Sequence, residues 1–243
     1  MANIAVVGAG IAGISAAREL RKHNFRVSVF DRGRKLGGRC ATRNNEAVFD
    51  HGAPFLTPSN KKFAAELAML EQLGVVRQWH GKFVQVNGDQ CKDVDNEIRY
   101  VGVPGMRNIA SALATDLDVL SNCQINKLVK CAQGWRLIIL DDSEVGEYAA
   151  VILAMPPEQA RRLLPSQSII FPTVSEIKSL PTWALMVSFD GALDIDFDVA
   201  DVYGGDIETI VRQSSKPGRP ETESWVIYSN SVWAQQRLKT PPE

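Results

Sequence analysis

Residues 3–31 read NIAVVGAGIAGISAARELRKHNFRVSVFD, and the reading of this stretch decides the fold. Residues 4–7 are a short, unbroken apolar run, the pattern of a strand covered on both faces. GAGIAG at 8–13 follows, with the spacing GxGxxG. Ile14, Ala17 and Leu20 then recur at helical spacing, with Arg18, Glu19, Arg21 and Lys22 mostly on the outer side. Residues 25–30 give a second strand, which ends at Asp31. Each part has a physical task. Gly8 permits the tight turn, Gly10 lets the backbone approach a pyrophosphate, and Gly13 lets the helix sit close to the strand. The helix N-terminus offers N–H groups and a positive dipole end to phosphate. Asp31 lies 18 residues past Gly13, near the spacing of a carboxylate that accepts ribose hydroxyls. Strand, glycine loop, helix and acid together predict a dinucleotide site. The alternative is a glycine-rich turn in an α/β fold that binds nothing.

The next residues bear on which dinucleotide. Arg32-Gly33-Arg34-Lys35-Leu36-Gly37-Gly38-Arg39 is basic and glycine-rich. A nicotinamide-cofactor domain does not need such a loop, so FAD is preferred. Arg39 is a candidate for the pyrophosphate, with Arg32 and Gly38 beside it, whereas Arg34 and Lys35 read as solvent-facing charge.

Composition agrees with an ordinary folded chain. The 243 residues are 45% hydrophobic and 23% charged, enough for a core without metal or disulfide staples. Lys+Arg 27 against Asp+Glu 28 leaves a net charge of -1, which argues against a nucleic-acid binder working by bulk phosphate neutralisation. Cys40, Cys91, Cys123 and Cys131 contain no CxxC pair, and with His23, His51 and His80 scattered no zinc pattern can be written. Buried thiols in a reducing, cytoplasmic compartment are expected. The N-terminus has no cationic leader, and the longest other apolar run, 149–157, is far too short to cross a bilayer. The expected partner is a small molecule, with no nucleic acid and no membrane.

Further along, residues 60–73 read as an amphipathic helix with Phe63, Leu67, Leu70 and Leu73 on one side, stopped by Gly74. Residues 76–100 alternate in short segments, with Asn87-Gly88-Asp89 as a hairpin turn. Pro104-Gly105-Met106 opens a helix to about Leu117. Residues 117–120, 124–131, 135–140, 145–149 and 150–155 read as strands, and a helix with Ala160, Leu163 and Leu164 follows Pro156-Pro157. A second antiparallel tract runs from about 180 to 228, and Asn230-Ser231 caps a short helix to Leu238, before 240–243 end the chain. The fold class expected is therefore α/β: a Rossmann-like FAD-binding domain from 1–60 and 104–165, interleaved with a mainly antiparallel α+β substrate domain from 61–103 and 166–243.

Candidate substrate-side residues are His51, Trp183 and Arg212. His51 stands in the glycine-rich turn Asp50-His51-Gly52-Ala53 and reads either as a cavity-lining group or as a packed or capping histidine. Trp183 reads as an aromatic wall or as core, and Arg212 as a phosphate ligand or a surface ion pair. His23, at the end of the first helix, reads as a dipole partner. The basic loop SSKPGRP at 214–220 either helps to hold an anionic dinucleotide or solvates a turn.

The sequence resembles the renalase-like FAD-dependent oxidoreductases, within the amine-oxidase-like flavoproteins. The resemblance runs through GAGIAG with Asp31-Arg32, LGGRCATR at 36–43, FDHGAPFLT at 49–57 and YVGVPGMRNIASALA at 100–114. It continues through the GW-plus-strand segment at 134–140, VILAMPPEQA at 151–160, PTWALMVSF at 181–189, SSKPGRP and WVIYSNSVW at 225–233. It implies two domains and noncovalent FAD. Gly8, Gly10 and Gly13 would meet the pyrophosphate, Asp31 the ribose and Arg39 the diphosphate. The turn with Gly52 and Ala53 would approach the flavin, and the strand with Ile125 would flank the adenine. It further implies oxidation of misreduced NADH or NADPH isomers by hydride transfer to flavin, with dioxygen as acceptor. Older family labels imply an amine oxidase instead. Relatives continue past the position of Glu243 with a Gly-Asp strand and a helix under the flavin, and no such segment stands in this sequence. That difference raises a further expectation, a truncated noncatalytic remnant that self-associates over an exposed sheet.

Overall fold

The computed structural model describes residues 1–94 and 98–239. The chain forms two compact units, each discontinuous: Met1–Arg39 with Ala110–Ser179, and Cys40–Ile109 with Leu180–Glu243. The divisions fall after 39, 109 and 179, where the sequence reading placed them after 60, 103 and 165. Residues 40–60 join the second unit for a physical reason. Ala47 and Phe49 are buried there against Val226, and Asp50 is bonded to Gln213, Lys216 and Arg219. The expected chain end at 240–243 lies outside the described residues.

The first unit opens with strand β1 (Asn3–Val7), helix α1 (Ile11–Lys22) and strand β2 (Arg26–Phe30). Helix α1 buries Gly13, Ile14 and Ala17, while Leu20 of the expected stripe is half-buried. Its C-cap is His23, whose ring lies 3.4 Å from Glu19. The chain then makes β3 (Thr42–Asn44), β4 (Val48–Asp50), α2 (Lys61–Gln72), β5 (Val76–Gln78), β6 (Phe83–Asn87), β7 (Gln90–Asp93) and β8 (Tyr100–Gly102) in the second unit. Asn60 caps α2, its side chain accepting from the Phe63 N–H at 3.0 Å. Leu67 and Leu70 are buried as expected, but Leu73 is exposed. It is the C-cap residue, and Gly74 at φ 70° turns the chain before Leu73 can join the buried face.

Helix α3 (Arg107–Leu113) is shorter than the expected 104–117, ending in a turn where Thr115 Oγ1 donates to Ala112 O. The chain continues in the first unit with β9 (Asp118–Leu120), β10 (Ile125–Cys131), β11 (Gly134–Ile139), β12 (Glu144–Tyr148), β13 (Ala150–Leu153), α4 (Pro157–Leu163) and α5 (Phe171–Glu176). Its parallel sheet has the order β13-β1-β2-β9. The antiparallel meander β10-β11-β12 adds Ile125 and Leu137 to a core with Ala5, Val7, Phe30 and Leu163. Burial of each large apolar side chain contributes roughly 1.5–3 kcal/mol.

The second unit finishes with β14 (Ala184–Phe189), β15 (Val199–Tyr203), β16 (Ile207–Arg212), β17 (Glu223–Ser229) and α6 (Ser231–Gln236). Six strands form one sheet in the order β14-β17-β16-β15-β6-β7. All its neighbours are antiparallel except β15 and β6. Asn230 caps α6 by accepting from the Trp233 N–H at 2.7 Å. No described helix is long and apolar enough to cross a membrane.

Candidate functional site

In the first unit the glycine loop is shaped by close approach. Gly8 has φ 111°, and a Cβ there would sit 2.4 Å from Ala154 O. A Cβ on Gly13 would sit 1.9 Å from Gly8 O, so α1 reaches this loop only because residue 13 lacks a side chain. Gly10 differs. A Cβ there would meet Gly38 Cα at 3.9 Å, an ordinary contact, so the protein itself has room for one. Gly10 is also the N-cap of α1, with no side-chain cap and no acid in the first turn. The first N–H groups of the helix have no intrahelical acceptor, and a diphosphate fits there by charge and by room.

The Arg32–Arg39 segment folds back onto this loop. Gly37 N donates to Ala9 O at 3.0 Å, and Gly10 and Gly37 form a parallel bridge. A Cβ on Gly38 would lie 3.2 Å from Gly10 Cα, so the paired glycines serve the approach of one loop to the other. Asp31 fixes both segments. Its Oδ2 accepts from Ala9 N at 2.6 Å and its Oδ1 from Gly33 N at 2.7 Å. A carboxylate has about four lone-pair sites, so these bonds leave acceptor capacity for ribose hydroxyls. Arg32, Gly38 and Arg39 are exposed. The Ile125 side chain is core, which leaves only its backbone to face a ligand.

In the second unit a group of charged side chains surrounds Asp50. Asp50 and Lys216 have no exposed side-chain surface, and Arg219 has 1%. Lys216 Nζ lies 3.1 Å and Arg219 Nη2 2.5 Å from Asp50 Oδ2. Asp50 Oδ1 accepts from Thr42 Oγ1 at 2.7 Å and Met106 N at 2.8 Å. Lys216 also donates to Gln213 Oε1 at 2.9 Å, which accepts the Asp50 N–H at 3.1 Å as well. Arg219 Nη1 donates to the carbonyls of Gly102 and Pro104. Tyr228 OH is shared between Asp50 O at 2.7 Å and Gly52 O at 2.9 Å. The backbone from Asp50 to Gly52 is thereby fixed from several sides.

The electrostatics follow. Lys216 and Arg219, with the Met106 N–H and the Thr42 hydroxyl, hold Asp50 below the usual carboxylate range despite its burial. Burial is the main influence on Lys216, lowering it to about 8, partly offset by Asp50. Burial and the Asp50 charge raise Tyr228. His51 is half-buried and lowered, first by burial and then by the charges of Arg43 and Arg107, with Asp50 acting the other way.

The sequence candidates separate accordingly. Gly8, Gly10, Gly13, Asp31 and Gly38 come together in the first unit. His51, Gly52 and Ala53 lie beside the charged cluster in the second. Trp183, directly before β14, is half-buried, its backbone N–H donating to Ser229 Oγ at 3.0 Å. Of the two readings of Arg212, the structure shows the ion pair. Its Nε lies 3.2 Å from Glu223 and its Nη1 3.7 Å from Asp198. Its Nη2 donates to Ile195 O, and the guanidinium stacks 4.5 Å over Trp225. The SSKPGRP loop is not a solvated basic loop at Lys216 and Arg219, because both reach inward to Asp50. Asp50, Thr42, Gln213 and Tyr228 were not singled out from the sequence as members of this cluster. Their partners lie up to 178 positions away, and FDHG gives no local sign of them.

These features define a flavoprotein fold of the Rossmann-like class. A model described as an NAD(P)-binding Rossmann-like domain matches residues 6–73, and one described as flavin containing amine oxidoreductase matches residues 88–234. The second match covers more than half of the chain, which belongs to the flavin-containing amine oxidoreductase family. FAD is its cofactor. AofH of Mycobacterium tuberculosis, which carries a flavin-containing monoamine oxidase name, is 36% identical over 91 residues, 32% of this chain and 19% of that protein. The bovine flavin-containing amine oxidase A is 35% identical over 77 residues, 31% of this chain and 14% of its own. The alignments thus span less than a fifth of these relatives' length. A putrescine oxidase triple mutant superposes with a TM-score of 0.78 at 13% identity, over 99% of this chain and 78% of that one. At that identity the likeness is one of fold.

Proposed function

We propose that this chain is part of an FAD-dependent oxidoreductase that oxidises a reduced pyridine dinucleotide isomer, or a related anionic small molecule, by hydride transfer with dioxygen as final acceptor. The observation that carries the substrate class is charge. Arg43 and Arg107 both act on His51, and the buried cluster next to it has two cations against one carboxylate. Such surroundings favour an anionic dinucleotide and disfavour a protonated amine.

The residues would divide the work as follows. The first N–H groups of α1 and the open face of Gly10 would take the cofactor diphosphate, with Arg39 along it. Asp31 would hold the ribose while tying the two glycine segments together. FAD, when bound, supplies the two-electron acceptor that takes hydride from the reduced nicotinamide and passes electrons to dioxygen, giving hydrogen peroxide. The protein's own contribution is placement of the donor carbon and exclusion of water. His51, with its lowered pKa, is neutral at pH 7 and can accept or donate one hydrogen bond.

An amine substrate is the second reading, favoured by the description of the family and the names of its relatives. Anaerobic titration of the FAD-loaded chain separates the two. Bleaching of bound flavin by isomeric reduced NAD preparations, and not by simple amines, is the expected result. Bleaching by amines alone would overturn the dinucleotide reading. Flavin reduced by neither would favour a noncatalytic remnant.

A further inference from the structure

Lys216 is an expensive residue to place where it is. Its ammonium is fully buried, and replacing a buried ion pair with apolar groups of similar volume is often neutral or stabilising. Lys216 is the strongest charge acting on Asp50 but not its only partner. With Lys216 gone, its carboxylate would keep Arg219, Thr42 and the Met106 N–H, and Gln213 Oε1 would keep the Asp50 N–H. What Lys216 does add is charge. Facing it are Asp50, Arg219 and Gln213, with the Trp79 ring 5.5 Å away. Tyr228 and Thr42 complete the shell around Asp50 as neutral donors.

We propose that Lys216 sets the charge of the site: with Arg219 against the single Asp50 carboxylate it leaves one buried positive charge in excess beside the His51–Ala53 turn, and this excess selects an anionic occupant there. The proposal rests on the reading of that turn as part of the substrate side. His51 directly follows Asp50, whose charge acts on the imidazole together with those of Arg43 and Arg107. A cation bonded to Asp50 in a water-poor surrounding bears on the same turn. Lys216 is thus a specificity-determining residue that acts through the field at the turn and touches no reacting atom.

The test uses the imidazole of His51 as a local reporter in the full chain, by NMR, with inorganic phosphate and methylammonium as probes. It needs no bound flavin, so a chain that fails to retain FAD counts against the functional reading without deciding this result. In the wild-type chain phosphate should give a saturable shift of the His51 resonances and methylammonium none. In Lys216→Met the phosphate affinity should fall several-fold and the His51 pKa should rise. Thermal unfolding should show the variant at least as stable as the wild type at pH 7. Lys216→Gln serves as a second variant if the methionine does not fit, with the same expectation. No response of His51 to phosphate in the wild type would overturn the proposal. So would equal phosphate affinity in wild type and variants, or a variant that loses stability while its His51 titration stays unchanged.

Discussion

The Gly8–Gly13 loop and the Asp50 cluster are built on opposite principles. The loop works through missing side chains: Gly8 and Gly13 allow backbone to approach within distances no Cβ could share, and Gly10 keeps the start of α1 bare. The cluster works through charged side chains taken fully out of water and matched to one carboxylate. The loop is local, closing on Asp31 through a bond to Ala9, 22 positions away. The cluster joins residues 166 and 169 positions apart. The lesson is that a backbone-defined anion site can be read along the chain, whereas an electrostatic one depends on long-range pairing.

The largest effect is expected where that pairing is broken. Asp50→Asn leaves Lys216 and Arg219 buried without their shared counter-charge, and should cost about 3–5 kcal/mol in chemical denaturation. A loss below about 1 kcal/mol would mean that water reaches the cluster.

Next comes pH. The pKa of Lys216 falls from its ordinary 10.5 to about 8 on folding. Below pH 8 the lysine is charged in both states, and the folded chain bears the full cost of burying it. Between about 8 and 10.5 the unfolded chain binds the extra proton, so this group's contribution to stability rises with pH. The wild type should gain on the order of 3 kcal/mol relative to Lys216→Met across that window. Parallel stability curves for the two chains would contradict the assignment.

The loop should then divide its own glycines. Gly13→Ala forces a Cβ against Gly8 O and should destabilise by about 1–3 kcal/mol or more. Gly10→Ala makes only an ordinary contact with Gly38, so it should cost under about 0.5 kcal/mol in unfolding while weakening FAD retention severely. Equal unfolding costs at the two positions would erase the distinction between packing glycine and approach glycine. The smallest effect is at a helix end. Asn60→Ala removes the acceptor of the Phe63 N–H and should cost about 1 kcal/mol by thermal unfolding.

Legibility followed the same division. Strand, loop, helix and acid were readable because periodicity, glycine spacing and the position of Asp31 are local signals. The meander β10-β11-β12 was readable from alternation and the turn at Gly134, and the cap at Asn230 from residue type, whereas Asn60 was read inside α2 and is its cap. Helix α3 was read too long, because Ala114 to Leu117 keep helical propensity while the structure turns there. Residues 40–60 were assigned to the wrong unit, since nothing local in FDHG shows that Phe49 packs with Val226 or that Asp50 binds Lys216. Arg212 was legible only as a choice between a phosphate ligand and an ion pair, and its pairing with Glu223 and Asp198 is set by residues distant in sequence.

The central claim is that this chain is built to hold a flavin dinucleotide. The most direct measurement is a visible absorbance scan of the purified 243-residue chain after loading with FAD and desalting. Protein-bound flavin bands that survive desalting, and that Gly10→Ala abolishes, are the predicted result. A folded chain by circular dichroism that emerges colourless would contradict it.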